Sequence, residues 1–211
     1  MHLAYLMGFE ISSLCSIAPK EEDSMLFHYP ATRFLKVFEE AYGIPLLLLE
    51  GSGDEMEDLR NLLSECKSEG IEYVVSGALA SDYQRIRYSI VAEELGLKTL
   101  NPLWRKDQKE YMKWLIEGGF EYIIVKISSF GLPFDLLGKT ITYEDTLRII
   151  SLAEKYGFNP AFEGGEAETL VLDAPLMKKR LEVEGERRIE GNYVAYYDIR
   201  NIKLVEKRKI R

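Results

Sequence analysis

The chain has 211 residues, of which 46% are hydrophobic and 29% charged, and its formal net charge is −8. That composition excludes a disordered chain, and the length suits one large domain or a domain with a smaller lobe. The longest apolar runs, 44–49 and 122–125, are too short to span a bilayer, and no secretory signal pattern opens the sequence. Cys15 and Cys66 stand far apart without metal-ligand spacing, which fits a reducing cytoplasm. The charge is unevenly spread: Met177 to Arg211 carries 11 Lys/Arg against 6 Asp/Glu, a net of +5, and the remaining 176 residues carry −13. A basic end on an acidic body would steer a charged macromolecular partner, or it is simply the solvated face of C-terminal strands.

In chain order, residues 1–8 read as the last turns of a helix that Gly8 stops. An apolar strand over 11–17 follows, then a helix over 32–42 with Phe34, Leu35, Phe38 and Ala41 on one side and Gly43 at its end. Residues 45–49 form a continuous apolar run, the pattern of a strand buried on both faces. A helix over 54–67 stopped by Gly70 leads to a strand at 72–75. Ser81 and Gln84 have capping-box spacing and open a helix that ends at Gly96, before a strand at 97–100. Asp107 and Glu110 open a helix to about Gly118, and a strand over 120–127 closes the series. Strands alternating with helices predict right-handed crossovers and a parallel sheet, assigned to a domain over 1–127. A smaller α+β lobe is expected over 128–211. It starts with a Gly/Pro/Phe-rich connection and a helix from Thr142 and Asp145 to Tyr156. An antiparallel hairpin then turns at Glu190-Gly191-Asn192.

Two blocks carry chemistry. Glu163-Gly164-Gly165-Glu166-Ala167-Glu168 places three carboxylates and two glycines in six residues. Adjacent glycines let the backbone bend and approach a ligand, and massed like charges suit a bound cation, a metal or proton transfer. An acidic turn before a strand is the alternative. The second block lies where open α/β sheets bind ligands, at the carboxyl ends of strands. Ser76-Gly77-Ala78 is small enough for a nucleotide base to rest on the backbone, and the helix opening after Ser81 offers N–H groups to an anion. Arg85 and Arg87 suit planar contacts with phosphate or carboxylate, or face solvent. Gln84 is a cap first and a ligand contact second. His28 sits on a loop at a strand's carboxyl side, and Trp104 would wall a pocket or simply pack.

The run EGGEAETLVLDAP with Lys178-Lys179-Arg180 after it resembles the diphthine–ammonia ligase family, also called diphthamide synthetase. Three further blocks agree: SGALASDYQRIR at 76–87, Pro102-Leu103-Trp104, and Met25-Leu26-Phe27-His28. The resemblance runs from about Leu3 to about Val183. It implies a Rossmann-like parallel sheet of the adenine-nucleotide alpha-hydrolase type with a smaller C-terminal α+β lobe, as in the N-type ATP pyrophosphatases. The implied reaction is amidation of diphthine on elongation factor 2 to diphthamide, using ATP, Mg²⁺ and ammonium. The diphthine carboxylate attacks the α-phosphate to give an acyl-adenylate and pyrophosphate, and ammonia then displaces AMP. The resemblance implies no nucleic acid partner.

On the same ground Glu163, Glu166 and Glu168 are expected to be catalytic, and Ser76, Gly77 and Ala78 to bind the nucleotide. His28, Tyr83, Gln84, Arg85, Arg87, Trp104, Gly164, Gly165 and Thr169 would contact substrate. The glutamates would hold Mg²⁺, bind and deprotonate ammonium, or face the trimethylammonium group of diphthine beside Phe162, Trp104 or Tyr83. Glu166→Gln is expected to leave the fold nearly unchanged.

The family opens with an SGGKDS-type phosphate loop, and no such motif occurs in this sequence. The expected explanation is a misassigned start, because loss of the first, central strand would leave unpaired sheet edges. The sequence as given is not expected to turn over ATP at a useful rate. Two other readings stay open: another ATP pyrophosphatase acting on tRNA, which would more often be basic, and a non-catalytic nucleotide-binding remnant.

Overall fold

The structure, a computed structural model, describes residues 1–18 and 34–207. It divides into two compact units, Met1–Arg105 and Lys106–Arg211.

The first unit holds α1 (His2–Leu6), β1 (Leu14–Ala18), α2 (Lys36–Tyr42), β2 (Leu46–Glu50), α3 (Glu55–Ser68), β3 (Tyr73–Val75), α4 (Asp82–Glu94) and β4 (Lys98–Leu100). Its helix ends follow local chemistry. The Asp54 carboxylate accepts hydrogen bonds from the Met56 and Glu57 amides and starts α3, a cap worth about 1 kcal/mol. The Ser81 hydroxyl accepts from the Gln84 amide at 3.3 Å and starts α4. Gly43 stops α2 in the left-handed conformation. Leu59, Leu62 and Leu63 of α3 and Val91 and Ala92 of α4 bury against Ile17 and Val74.

The strands pair in parallel, as expected, and among the described residues they do so as two separate pairs. β1 lies on β2, from Leu14↔Leu46 to Ala18↔Glu50, and β3 on β4, from Tyr73↔Lys98 to Val75↔Leu100. Among the described residues no pairing joins the two. The β2 leucines are half-buried rather than buried on both faces.

The second unit holds α5 (Gln108–Glu117), β5 (Glu121–Ile127), α6 (Tyr143–Tyr156), β6 (Ala167–Asp173), β7 (Lys179–Ile189) and β8 (Ala195–Glu206). Its sheet is antiparallel, in the order β6-β5-β8-β7. β5 was expected to end the parallel series. Instead it pairs antiparallel with β6, through Ile123↔Leu170, and with β8, through Ile127↔Ala195. Its side chains Tyr122, Ile124 and Ile127 pack with Leu136, Leu137, Ile149 and Ala167. The division therefore falls after Arg105 and not after residue 127. A strand covered on both faces reads as one apolar run whichever way its neighbours point, so the sequence pattern does not carry this distinction.

α6 has the expected capping box. The Thr142 hydroxyl accepts from the Asp145 amide, and the Asp145 carboxylate accepts from the Thr142 amide. The β7–β8 hairpin forms as expected, and its basic residues find local partners: Arg188 with Asp198, Arg200 with Glu186 and Lys203 with Glu184. No helix among the described residues is long and apolar enough to cross a membrane.

Candidate functional site

In the first unit the loops after β3 and β4 are laced together. The Ser76 amide donates to the Leu100 carbonyl at 3.0 Å and the Arg105 amide to the Leu79 carbonyl at 2.9 Å. The Ser76 hydroxyl accepts from the Ala78 amide at 3.2 Å, which tightens the turn at Gly77. Ala78 and Leu79 are buried, so the loop is anchored from below. Gly77 is exposed. Its φ lies outside the left-handed region, and a Cβ built on it would meet nothing within 4 Å. The fold itself gives no reason for glycine at this position.

α4 and the 101–105 loop bring most of the expected contacts of this unit together. The Arg85 guanidinium lies 4.5 Å from the Trp104 ring centroid and pairs with Asp82 at 2.9 Å. Arg105, which the sequence did not single out, lies 5.7 Å from the same ring. Arg87 folds back on the Tyr83 ring at 3.3 Å, and the Tyr83 hydroxyl reaches Glu55 at 3.5 Å. Gln84 receives the cap of α4 through its amide. Trp104 and Tyr83, two of the three aromatic rings expected to face a trimethylammonium group, are thus each already covered by an arginine. His28, with residues 19–33, lies outside the described residues.

In the second unit the acidic block is dispersed. The two carboxylate oxygens of Glu166 accept one hydrogen bond each, from the Asn159 and Gly164 amides, both at 2.9 Å. A Cβ on Gly164 would stand 2.7 Å from Glu166 Oε1, so glycine is required there for the carboxylate to dock. Gly165 has φ +78, which favours glycine for the turn itself. Ser128 pins the same turn, its hydroxyl donating to the Gly165 carbonyl at 2.6 Å and its amide to the Glu166 carbonyl at 2.9 Å. Glu168 turns to Lys126 on β5, at 3.4 Å. Glu163 faces the region of Tyr111, whose hydroxyl is pushed above its ordinary pKa by burial and by the Glu163 carboxylate. Thr169 is exposed on β6. Phe162 is buried in the core with φ +64, and so is not an open aromatic face.

The glycines expected to admit a ligand therefore admit Glu166, and Glu166 is a clamp on its own loop. The expectation that Glu166→Gln would spare the fold changes accordingly, since an amide can accept on one side only and would turn an N–H toward an N–H. The same block ends in structural ion pairs. Arg180 is buried and pairs with Glu121 at 2.8 Å, and Asp173 pairs with Lys207 at 3.0 Å. Among the described residues no three His, Cys, Asp or Glu side chains gather as metal ligands. The described residues do not preform a cage for Mg²⁺ there.

An open cleft of about 600 Å³ in this unit is lined by Lys106, Gln108, Lys109, Asn159, Pro160 and Glu166. Glu166 reaches it with its carboxylate held by the loop. Lys109 is committed to Glu154.

Comparison with known proteins matches both units. Residues 2–99 fit the family model described as diphthamide synthase N-terminal domain, and residues 107–205 that described as diphthamide synthase C-terminal domain. The gap between the two matches brackets the division after Arg105. The chain is similar to a diphthine–ammonia ligase of Danio rerio, 36% identical over 199 residues, which is 84% of this chain and 78% of that protein. It is 31% identical over 222 residues to the Homo sapiens diphthine–ammonia ligase, covering 94% of this chain and 83% of that one. The Schizosaccharomyces pombe diphthine–ammonia ligase is 32% identical over 210 residues, but this chain spans 34% of its length.

Proposed function

The chain belongs to the diphthamide synthase family, and we propose that it serves the ATP-dependent amidation of diphthine on elongation factor 2, with ammonium as nitrogen donor. The observation that carries this is the match of both family domains, one on each unit, to proteins named diphthine–ammonia ligase. A carboxylate does not release oxide, so it is first adenylated. Its oxygen bonds the α-phosphorus of ATP and pyrophosphate leaves. Ammonia then bonds the acyl carbon, AMP leaves, and the excess protons pass to solvent.

Within this reading the two parallel strand pairs belong to one Rossmann-like sheet, and the nucleotide lies on its carboxyl ends at Ser76, Gly77 and Ala78. Gly77 supports that placement: it is glycine where neither dihedral nor packing needs it, which a base lying flat on the backbone would require. The second unit presents the diphthine and ammonium side of the reaction. The cleft edged by Glu166 is its candidate surface, with Gly164, Gly165 and Thr169 nearby in sequence. Glu163 and Glu168 supply acid–base groups in this reading. Mg²⁺ would enter with the triphosphate, which is how this ion usually binds, through one or two carboxylates plus phosphate oxygens. A cytoplasmic site of action fits the free thiols of Cys15 and Cys66.

The test uses the natural full-length protein with diphthine-bearing elongation factor 2, ATP and ¹⁵N-ammonium. Mass spectrometry should find ¹⁵N in the modified histidine, with AMP and pyrophosphate formed in equal amounts. ADP and phosphate as products, or no ¹⁵N in the histidine, would overturn the proposal.

A further inference from the structure

Arg105 is the counterpart of Gly77 in the same pair of loops. Its φ is +58, one of only two non-glycine residues among those described in the left-handed region. Such a backbone is strained for any residue that carries a Cβ, and glycine would relieve it. The other residue, Phe162, has an evident reason for its strain, because its ring is buried in the core of the second unit. The Arg105 side chain has no such packing. It is exposed, and no carboxylate pairs with it among the described residues. Its guanidinium lies 5.7 Å from the Trp104 ring, a contact that orients it without neutralising its charge. The strained backbone is fixed by the hydrogen bond from the Arg105 amide to the Leu79 carbonyl, in the loop that carries Gly77.

Arg85 is on the same indole, 4.5 Å from its centroid. Asp82 occupies its Nη2, while its buried Nε has no hydrogen-bond partner. The loop pair therefore keeps an arginine where the fold would prefer glycine, and a glycine where the fold would accept a side chain. Two planar guanidiniums held on one ring suit the oxygens of a phosphate, which accept from such forks in bidentate fashion.

We propose that Arg105, oriented by Trp104 and assisted by Arg85, binds the phosphate of the adenine nucleotide whose base rests on Gly77. This rests on the nucleotide placement given above and adds a residue to it. Arg105 is a binding residue that supplies positive charge to the phosphate. Trp104 is a positioning residue that acts through it.

The experiment is calorimetric titration of the natural full-length protein with adenosine, AMP and inorganic pyrophosphate, for wild type, Arg105→Gly and Gly77→Val, with melting temperatures measured alongside. A lost charge-assisted hydrogen bond corresponds to a tenfold or larger change in affinity. Arg105→Gly should weaken AMP about tenfold or more, leave adenosine within about twofold, and leave the melting temperature unchanged or raised as the backbone relaxes. A purely structural arginine would instead lower the melting temperature and spare the ratio of AMP to adenosine affinity. Unchanged AMP affinity in Arg105→Gly, an equal loss of AMP and adenosine, or no binding of AMP to wild type would each overturn the proposal. Weakening of pyrophosphate alone would assign Arg105 to the leaving group and overturn the AMP contact. If Gly77→Val leaves adenosine unaffected, the base placement fails separately, while the AMP-to-adenosine ratio of Arg105→Gly still decides the phosphate contact.

Discussion

The two units differ in what the unusual residues of their candidate sites are for. In the second unit the oddities answer to the fold. Gly164 makes room for the Glu166 carboxylate, Gly165 takes the left-handed turn, and Glu166 closes its loop on two amides. Glu168 is drawn to Lys126 and Arg180 to Glu121. In the first unit the oddities have no such answer. Gly77 is glycine beside open space, and Arg105 is strained without packing to compensate it. A dense motif is thus weaker evidence of a binding site than a residue whose identity the local structure does not require.

The largest effect that can break this comparison is on the Glu166 clamp. Glu166→Ala leaves the Asn159 and Gly164 amides without their acceptor, a net loss of about 1 kcal/mol for the part-buried Asn159 amide and less for the exposed Gly164 amide, which water can satisfy. For a unit of about 100 residues, 1 kcal/mol moves the melting temperature by about 4–8 °C. Thermal unfolding should therefore show a drop of several degrees, with a smaller one for Glu166→Gln. An unchanged melting temperature together with lost amidation would make the carboxylate chemical after all.

Next comes the cap of α6, which shows how tightly the second unit uses its carboxylates. Burial alone would raise the Asp145 carboxyl, but the Lys139 ammonium and the Thr142 amide and hydroxyl together hold it below its ordinary value. A depressed folded pKa stabilises the fold above the unfolded value of about 3.9, and that stabilisation is lost as pH falls through the folded pKa. Asp145→Asn should cost about 1 kcal/mol at neutral pH and flatten the loss of stability below about pH 4. Denaturation midpoints taken across that range check both. A mutant that keeps the wild-type acid limb would show that another carboxylate controls it.

The smallest effect is at Glu168. Its partner Lys126 lies at 3.4 Å, and the two side chains are 17% and 22% exposed. Glu168→Gln should change stability by no more than about 1 kcal/mol. If ¹⁵N incorporation by this variant nevertheless falls about a hundredfold, the scale of a lost acid–base group, the glutamate has a role beyond its ion pair.

Much of the fold was legible because its signals are local. Asp54, Ser81, Thr142 and the glycines at 43 and 157 mark helix ends by hydrogen bonding and backbone preference, and the structure uses each of them that way. The orientation of β5 was not legible, because Tyr122, Ile123, Ile124 and Val125 are apolar on both faces and their partners in β6 and β8 are remote in sequence. Of the candidate site, Arg85 and Trp104 were expected separately, as contacts at two different strand ends, and their stacking at 4.5 Å was not anticipated; Arg105 left no trace. A positive φ at an arginine has no residue-type signature, and only the hydrogen bond to Leu79 reveals it. The Glu166 clamp was hidden for the opposite reason: two glycines and three glutamates advertise a ligand even when the ligand is their own backbone.

The contrast between the two units is tested most directly by measuring AMP affinity and melting temperature together for Gly77→Val and Glu166→Gln in the natural full-length protein. The account predicts opposite responses. Gly77→Val should lose AMP affinity by about tenfold or more, a change of about 1.4 kcal/mol, and keep its stability within about 0.5 kcal/mol, as exposed positions do. Glu166→Gln should lose stability and keep its AMP affinity. A Gly77→Val protein that binds AMP like wild type, or a Glu166→Gln protein that melts like wild type, would contradict it.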